Sequence, residues 1–272
     1  KHIFNEIEKE TPYLSYPLFE KTGLVRHAFS TRLGGVSGGY YSSLNLSFDR
    51  GDKKEAVAEN FRRIGDAMGV SCEDMVLSKQ THTTNVRVVT EEDRGKGITR
   101  DRDYTDVDGL VTNIPGICLV TSYADCVPLY FLDPVRKVIG LSHSGWRGTV
   151  GKIGKKTVQI MQEKFSSDPA DILAAVGPSV CMDCYEVSED VIDKFKDSFD
   201  KRFWGELFYE KPDGKYQLDL WRANELIFLE SGIIPEHIAV TNVCTYCNSR
   251  ILYSHRAMGD KRGNLCAFLA LK

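Results

Sequence analysis

The stretch from Asp106 to Gly148 constrains the fold most. It reads D-V-D-G-L-V-T, then I-C-L-V-T-S-Y-A-D-C-V-P-L-Y-F-L-D-P, then K-V-I-G-L-S-H-S-G-W-R-G. Val107–Thr112, Ile117–Tyr123 and Val138–Ser142 are short, rich in β-branched residues and bounded by Gly, Pro or Asp. Runs of that length and composition fit buried strands better than helices. Asp133-Pro134 supplies a turn between the second and third runs. Asp108, Asp125, Cys126, His143 and Arg147 therefore fall at or near strand ends, where a rigid scaffold presents chemistry.

Around this centre, 42% hydrophobic and 27% charged residues over 272 positions are enough for a sizeable core. The net charge of −3 gives no electrostatic footprint for nucleic acid or an anionic membrane. No apolar run has the length of a bilayer span, and the first ten residues lack the apolar segment of a signal peptide. The chain opens on Lys1, so the native start is expected upstream. Eight cysteines in a chain this long suit metal or catalytic roles better than a disulfide framework, and a reducing, cytoplasmic setting is expected.

Periodicity predicts helices over 52–68, 149–165, 188–195 and 218–230, with Asp52 and Glu55 forming a capping box for the first. The second would open beside His143 and turn its positive dipole end to a bound anion. Strands are predicted at 24–29, 75–78, 86–89, 172–176 and 238–243. The segment 91–104 reads as a charged hairpin or loop, solvated and mobile, and 203–216 as aromatic and irregular. Ser30–Phe48 is either a surface loop or a glycine-rich backbone that lets a ligand approach, with Arg32 aimed at an anion. No repeat or linker divides the chain, so one domain over 1–272 is expected. Strands in successive pairs indicate an α+β fold with mixed sheets over a doubly wound one.

His82, Cys126 and His143 each lie near a predicted strand end. Two imidazoles and a thiolate suit zinc, with copper as second choice, and three ligands leave a fourth position for water or substrate. Scattered spacing leaves a second reading open, in which Cys126 is a nucleophile activated by His143. It also leaves the plain reading of hydrogen-bonding histidines and a buried thiol. Asp108 and Asp125 could orient a ligand histidine, act as general base, or only cap a turn. Arg32, Arg147 and Arg256 are candidate anion binders. Tyr123, Trp146 and Tyr253 line an aromatic slot or belong to the core. Cys181/Cys184 and Cys244/Cys247 form two C-x-x-C pairs spaced too far apart for a zinc ribbon, so free thiols are expected there before a closed metal site or disulfides.

Taken in order, K-Q-T-H (79–82), D-G-L-V-T (108–112), A-D-C-V-P (124–128), H-S-G-W-R-G (143–148), G-P-S (177–179), C-Y-E-V (184–187) and Y-S-H-R (253–256) resemble the YfiH/YlmD family, its YlmD-type members above all. T-R-L-G-G-V-S-G-G-Y-Y-S-S-L-N-L matches its N-terminal signature. His255 is a departure, since some members have a tyrosine there. Members are described as laccase-domain or polyphenol-oxidase-like proteins and as purine nucleoside phosphorylases. The resemblance implies a layered α/β/β/α sandwich, kin to a toxin deamidase that uses Cys and His. It implies zinc on His82, Cys126 and His143, with purine nucleosides and phosphate as partners. It further implies phosphorolysis of adenosine, guanosine, inosine and methylthioadenosine, with adenosine deamination beside it. On that footing Asp125 is the expected general base and Asp108 the carboxylate behind the ligands. Arg32, Arg147, Arg256 and Gln80 are the expected phosphate or substrate contacts. Monomer or homodimer is expected. The H-x-E…P-C-x-x-C arrangement of cytidine-type deaminases is absent, so any deaminase chemistry here is separately built.

Overall fold

The computed structural model describes residues 5–7 and 10–272; most of the N-terminal segment read for a leader lies outside them. Two six-stranded mixed sheets stack face to face. One runs, strand by strand, Asn5–Ile7, Tyr13–Ser15, Val25–Ser30, Leu265–Leu271, Cys118–Tyr123, Met75–Leu77. The other runs Ile238–Val240, Leu173–Val176, Val127–Asp133, Val138–Ser144, Gly109–Thr112, Val86–Val88.

The apolar runs of the sequence are explained by burial on both faces. In the last strand Leu265, Ala267, Leu269 and Leu271 face the layer between the sheets. Cys266, Phe268 and Ala270 alternate with them and pack against the Lys54–Met68 helix. In the second sheet Tyr130 and Leu132 face inward. Val127, Leu129 and Phe131 face the helices Ile153–Phe165 and Leu220–Glu230. The order helix, sheet, sheet, helix is the expected α/β/β/α sandwich. A small sheet of Glu186–Val187, Tyr216–Leu218 and Phe208–Glu210 orders part of the segment read as irregular.

Several sequence expectations need correction. Val127–Asp133 is a strand of its own, and the Asp133 turn joins it to Val138–Ser144, with Asp133 Oδ1 accepting the Val135 and Arg136 amides at 2.9 Å. Leu265–Leu271, at the centre of the first sheet, is a further strand that the sequence patterns do not mark. Asp52 caps no capping box. Its carboxylate instead accepts Ser37 Oγ at 2.6 Å and Asn45 Nδ2 at 3.0 Å, tying the Gly/Ser loop together. The helix expected over 149–165 is two helices, Trp146–Val150 and Ile153–Phe165, broken where Lys152 takes φ 57°. Only a one-turn helix therefore starts beside His143, too short for a strong dipole. The segment 91–104 is not a loose loop: buried Asp93 accepts Lys96 Nζ at 2.8 Å and Arg87 Nη2 at 2.9 Å, and Arg102 donates to the Ser78 carbonyl at 2.6 Å. Among the described residues no helix is long and apolar enough to cross a membrane.

Candidate active site

Three chain segments meet where the two sheets exchange a strand. Cys118–Tyr123 belongs to the first sheet and Val127–Asp133 to the second, so Ala124, Asp125 and Cys126 make the crossing. Asp125 turns the corner at φ 87°, in the left-handed region that short polar side chains tolerate. Its carboxylate fixes the corner, accepting Thr245 Oγ1 at 2.6 Å and the Arg256 amide at 2.7 Å. Cys126 is thereby held at the mouth of the sandwich, with His143 at the end of the adjacent Val138–Ser144 strand.

His82 arrives on the loop after Met75–Leu77 and takes φ 64°. Two aspartates hold that loop. Asp108 accepts the amides of Thr81 at 2.9 Å, His82 at 3.1 Å and Thr83 at 3.1 Å. Asp106 accepts both Thr81 and Thr83 hydroxyls, and Asn85 Nδ2 at 2.6 Å. Asp108 also binds Nδ1 of His143 at 2.8 Å, which leaves Nε2 as the ligand atom.

The ligand atoms of His82, Cys126 and His143 lie within 4.8 Å of one another, and among the described residues no fourth His, Cys, Asp or Glu joins them. Cys126 Sγ stands 4.0 Å from His82 Nε2. Burial resists ionising Cys126, but His143 and then His82 outweigh it and bring the thiol down to about 6. Burial likewise resists charging His143, yet Cys126 and Asp108 raise it to about 9. Burial pushes the Asp108 carboxyl up, but His143 and the loop amides win and hold it below the usual carboxylate range. A thiolate, two imidazoles and a buried carboxylate behind one of them fit a divalent metal such as zinc. Gly145 suits the close packing, since a Cβ there would meet His82 Cδ2 at 3.0 Å and Cys126 Sγ at 3.1 Å and press on both.

Two cavities open on this centre. The larger, about 320 Å³, holds His82, Cys126 and His143 at one end and the cations Arg50, Lys79, Arg102 and Arg262 around it, against the single carboxylate Asp49. Arg262 is 8% exposed, and burial, then the Arg50 guanidinium, brings it down to about 10. The Nε atoms of Arg50 and Arg262 are buried without a hydrogen-bond partner among the described residues. The smaller, about 200 Å³, reaches His82 and Cys126 from the other side, walled by Asp125, Trp146, Arg147, Val180, Tyr185 and Arg256 among others.

Of the residues expected from sequence, Asp108, Asp125, His82, Cys126, His143, Arg147 and Arg256 come together. Arg147 lies over the Trp146 ring at 4.2 Å, and Arg256 over Tyr185 at 5.0 Å. Arg32 is not brought to the centre. It donates to the Ser42 carbonyl at 2.7 and 2.9 Å and to the Ser249 carbonyl at 3.1 Å, and lies over Tyr253 at 4.8 Å. Gln80 lines the larger cavity, but its amide is clamped to Ser122, donating to its carbonyl and accepting its N–H, both at 2.7 Å. Tyr123 and Tyr253 are buried core residues and Trp146 is half-buried. Sequence reasoning missed Asp106, Arg50, Arg102 and Arg262. D-V-D at 106–108 was the available signal for the first; scattered arginines gave none.

The sequence model of the family described as multi-copper polyphenol oxidoreductase laccase matches residues 26–272. The purine nucleoside phosphorylase YlmD of Bacillus subtilis is 38% identical over 251 residues, covering 90% of this chain and 87% of its own. The adenosine deaminase RL5 of an unknown prokaryotic organism is 34% identical over 239 residues, covering 87% and 90%. The crystal structure of Bacillus licheniformis hypothetical protein YfiH superposes with a TM-score of 0.94 at 32% identity, covering all of both chains.

Proposed function

Because the chain belongs to the YfiH/YlmD family, we propose that it is a purine nucleoside phosphorylase with adenosine deaminase side activity, working at the His82–Cys126–His143 centre. The observation that carries this reading is a three-ligand centre set between a basic cavity and an aromatic one. The substrates are adenosine, guanosine, inosine and methylthioadenosine, with phosphate as co-substrate. The names of the two relatives, a phosphorylase and a deaminase, support the pairing of reactions.

Phosphate binds on the Arg262 side. Guanidinium groups fit its oxygens, and a desolvated cation with unspent N–H groups gains most from an anion. The purine lies on the other side, against Tyr185 and Trp146, with Arg147 and Arg256 at the rim. In phosphorolysis a phosphate oxygen bonds the anomeric carbon as the N-glycosidic bond breaks, and the purine leaves with the bonding pair and takes up a proton. In deamination water adds at the amino-bearing carbon and ammonia leaves. His82, Cys126 and His143 would hold a zinc ion, which would supply Lewis-acid polarisation and acidify water. Asp108 sets the tautomer of His143 and the position of His82. Asp125, with both oxygens engaged, is a positioning residue here and not a free base. Eight cysteines in a chain this long and well provided with core residues support a reducing, cytoplasmic setting.

Copper oxidation of phenols, the activity in the family description, draws less support. The chain has six histidines, and among the described residues only one candidate metal group contains any. A purely structural metal draws less support as well, since such sites are closed by four ligands.

The test is base release from inosine with and without phosphate, with ribose 1-phosphate measured beside hypoxanthine. Both products are expected only when phosphate is present, and adenosine is expected to yield inosine without it. Equal hypoxanthine release without phosphate, or no release at all, would contradict the phosphorylase reading.

A further inference from the structure

Four cysteines that the reaction does not use stand together. Cys181 precedes the short turn Met182–Cys184 and Cys184 ends it, while Cys244 and Cys247 bracket a second turn, each 63 positions after its counterpart. The sequence alone favours free thiols at these positions. They are free, yet all four sulfurs lie within 4.8 Å of one another. We propose that Cys181, Cys184, Cys244 and Cys247 form a closed tetrathiolate zinc site, separate from the His82–Cys126–His143 centre, that clips together the wall of the smaller cavity.

The distances separate this reading from a pair of disulfides. Zinc–sulfur bonds of about 2.3 Å set tetrahedral sulfur–sulfur edges of about 3.8 Å. Cys184 Sγ and Cys247 Sγ are 3.5 Å apart, and the remaining edges fall under the same limit of 4.8 Å. Two disulfides would instead give two separations of about 2.05 Å. The backbone is arranged for thiolates. The amides of Cys181 and Cys247 both point at Cys244 Sγ, at 3.3 and 3.5 Å. Four sulfur ligands in a tetrahedron select zinc among redox-silent ions, and a closed set is the structural pattern.

The two turns are also the scaffold behind Asp125. Ser179 pairs with Cys244 as an isolated bridge, and the Val180 amide donates to the Asp125 carbonyl at 3.1 Å. Thr245, beside Cys244, donates to the Asp125 carboxylate. Val180 and Tyr185, next to Cys181 and Cys184, line the smaller cavity. Zinc would fix these parts relative to one another. The site stands whatever reaction the other centre runs.

The test is elemental analysis of the full chain purified under reducing conditions, with the absorption spectrum of its cobalt-substituted form. Two metal equivalents are expected, and one in His82→Ala. That remaining equivalent should be zinc and should show the strong sulfur-to-cobalt charge transfer of a tetrathiolate. The Cys184→Ser/Cys247→Ser variant should lose one equivalent and unfold at lower temperature. Should that variant fail to fold, X-ray absorption at the zinc edge of His82→Ala decides: four sulfurs at about 2.3 Å support the site, and nitrogen or oxygen ligands overturn it. A metal content unchanged by the double substitution, iron in place of zinc, or an intact mass showing disulfides in the freshly reduced protein would also overturn it.

Discussion

Asp108 binds Nδ1 of His143 at 2.8 Å while accepting the backbone amide of His82, so one buried carboxylate positions two of the three proposed metal ligands. Replacing it with Asn keeps the shape and removes the charge. Side chains that orient metal ligands are worth about 10- to 100-fold in metal affinity or activity. Asp108→Asn is expected to weaken zinc binding by that range in a competition titration with a chelator. Unchanged affinity would show that His143 needs no such partner.

Gly145 marks how tightly the ligands pack. A methyl group there meets both His82 and Cys126 at contacts closer than ordinary van der Waals distance. Gly145→Ala should lower zinc affinity and turnover together while leaving the unfolding transition cooperative. Gly205→Ala is the control, because a Cβ at that position meets nothing within 4 Å.

Among the described residues Arg262 is buried with an unpartnered Nε and no carboxylate hydrogen-bonded to it. A charge held that way costs stability unless an anion joins it. Arg262→Gln is therefore expected to raise the KM for phosphate at least tenfold in inosine phosphorolysis, with adenosine deamination nearly unchanged and stability equal or higher. A fall in deamination of the same size would place Arg262 outside a phosphate-specific role.

His27 gives a pH-dependent contribution to stability away from the site. Its Nε2 accepts the Tyr16 amide at 2.7 Å in a buried setting, and burial is the main cause that lowers it from 6.5 to about 4. The unfolded chain then takes up a proton before the folded one does. The contribution is complete above about pH 6.5 and lost as pH falls towards 4. It amounts to about 3 kcal/mol over that window. Denaturant unfolding at pH 7 and pH 4.5 should show this loss, and His27→Gln, which can still accept the amide, should flatten it.

The centre was legible in the sequence because its parts sit at the ends of strands with strong signals. His82, Cys126, His143 and Asp108 stand beside runs whose β-branched residues and flanking Gly and Asp mark them as buried strands. What was hidden depends on contacts distant in sequence. Leu265–Leu271 is buried on both faces and so shows no alternation to mark it as a strand. Arg262 lies just before it, and only the strand's place between Val25–Ser30 and Cys118–Tyr123 brings that arginine to the cavity. Arg32 misled for the converse reason. A glycine-rich loop with one arginine looks like an anion site, but here its guanidinium is taken by the carbonyls of Ser42 and Ser249. The two C-x-x-C pairs failed a spacing rule for contiguous ribbons, which does not apply to turns brought together by the fold.

The most direct test joins metal content to turnover in the wild type and Cys126→Ala. Loss of one zinc equivalent in the variant, together with loss of phosphate-dependent hypoxanthine release from inosine, is the expected result. Zinc content unchanged in Cys126→Ala, or full nucleoside turnover in protein lacking that equivalent, would contradict a reaction centred on His82, Cys126 and His143.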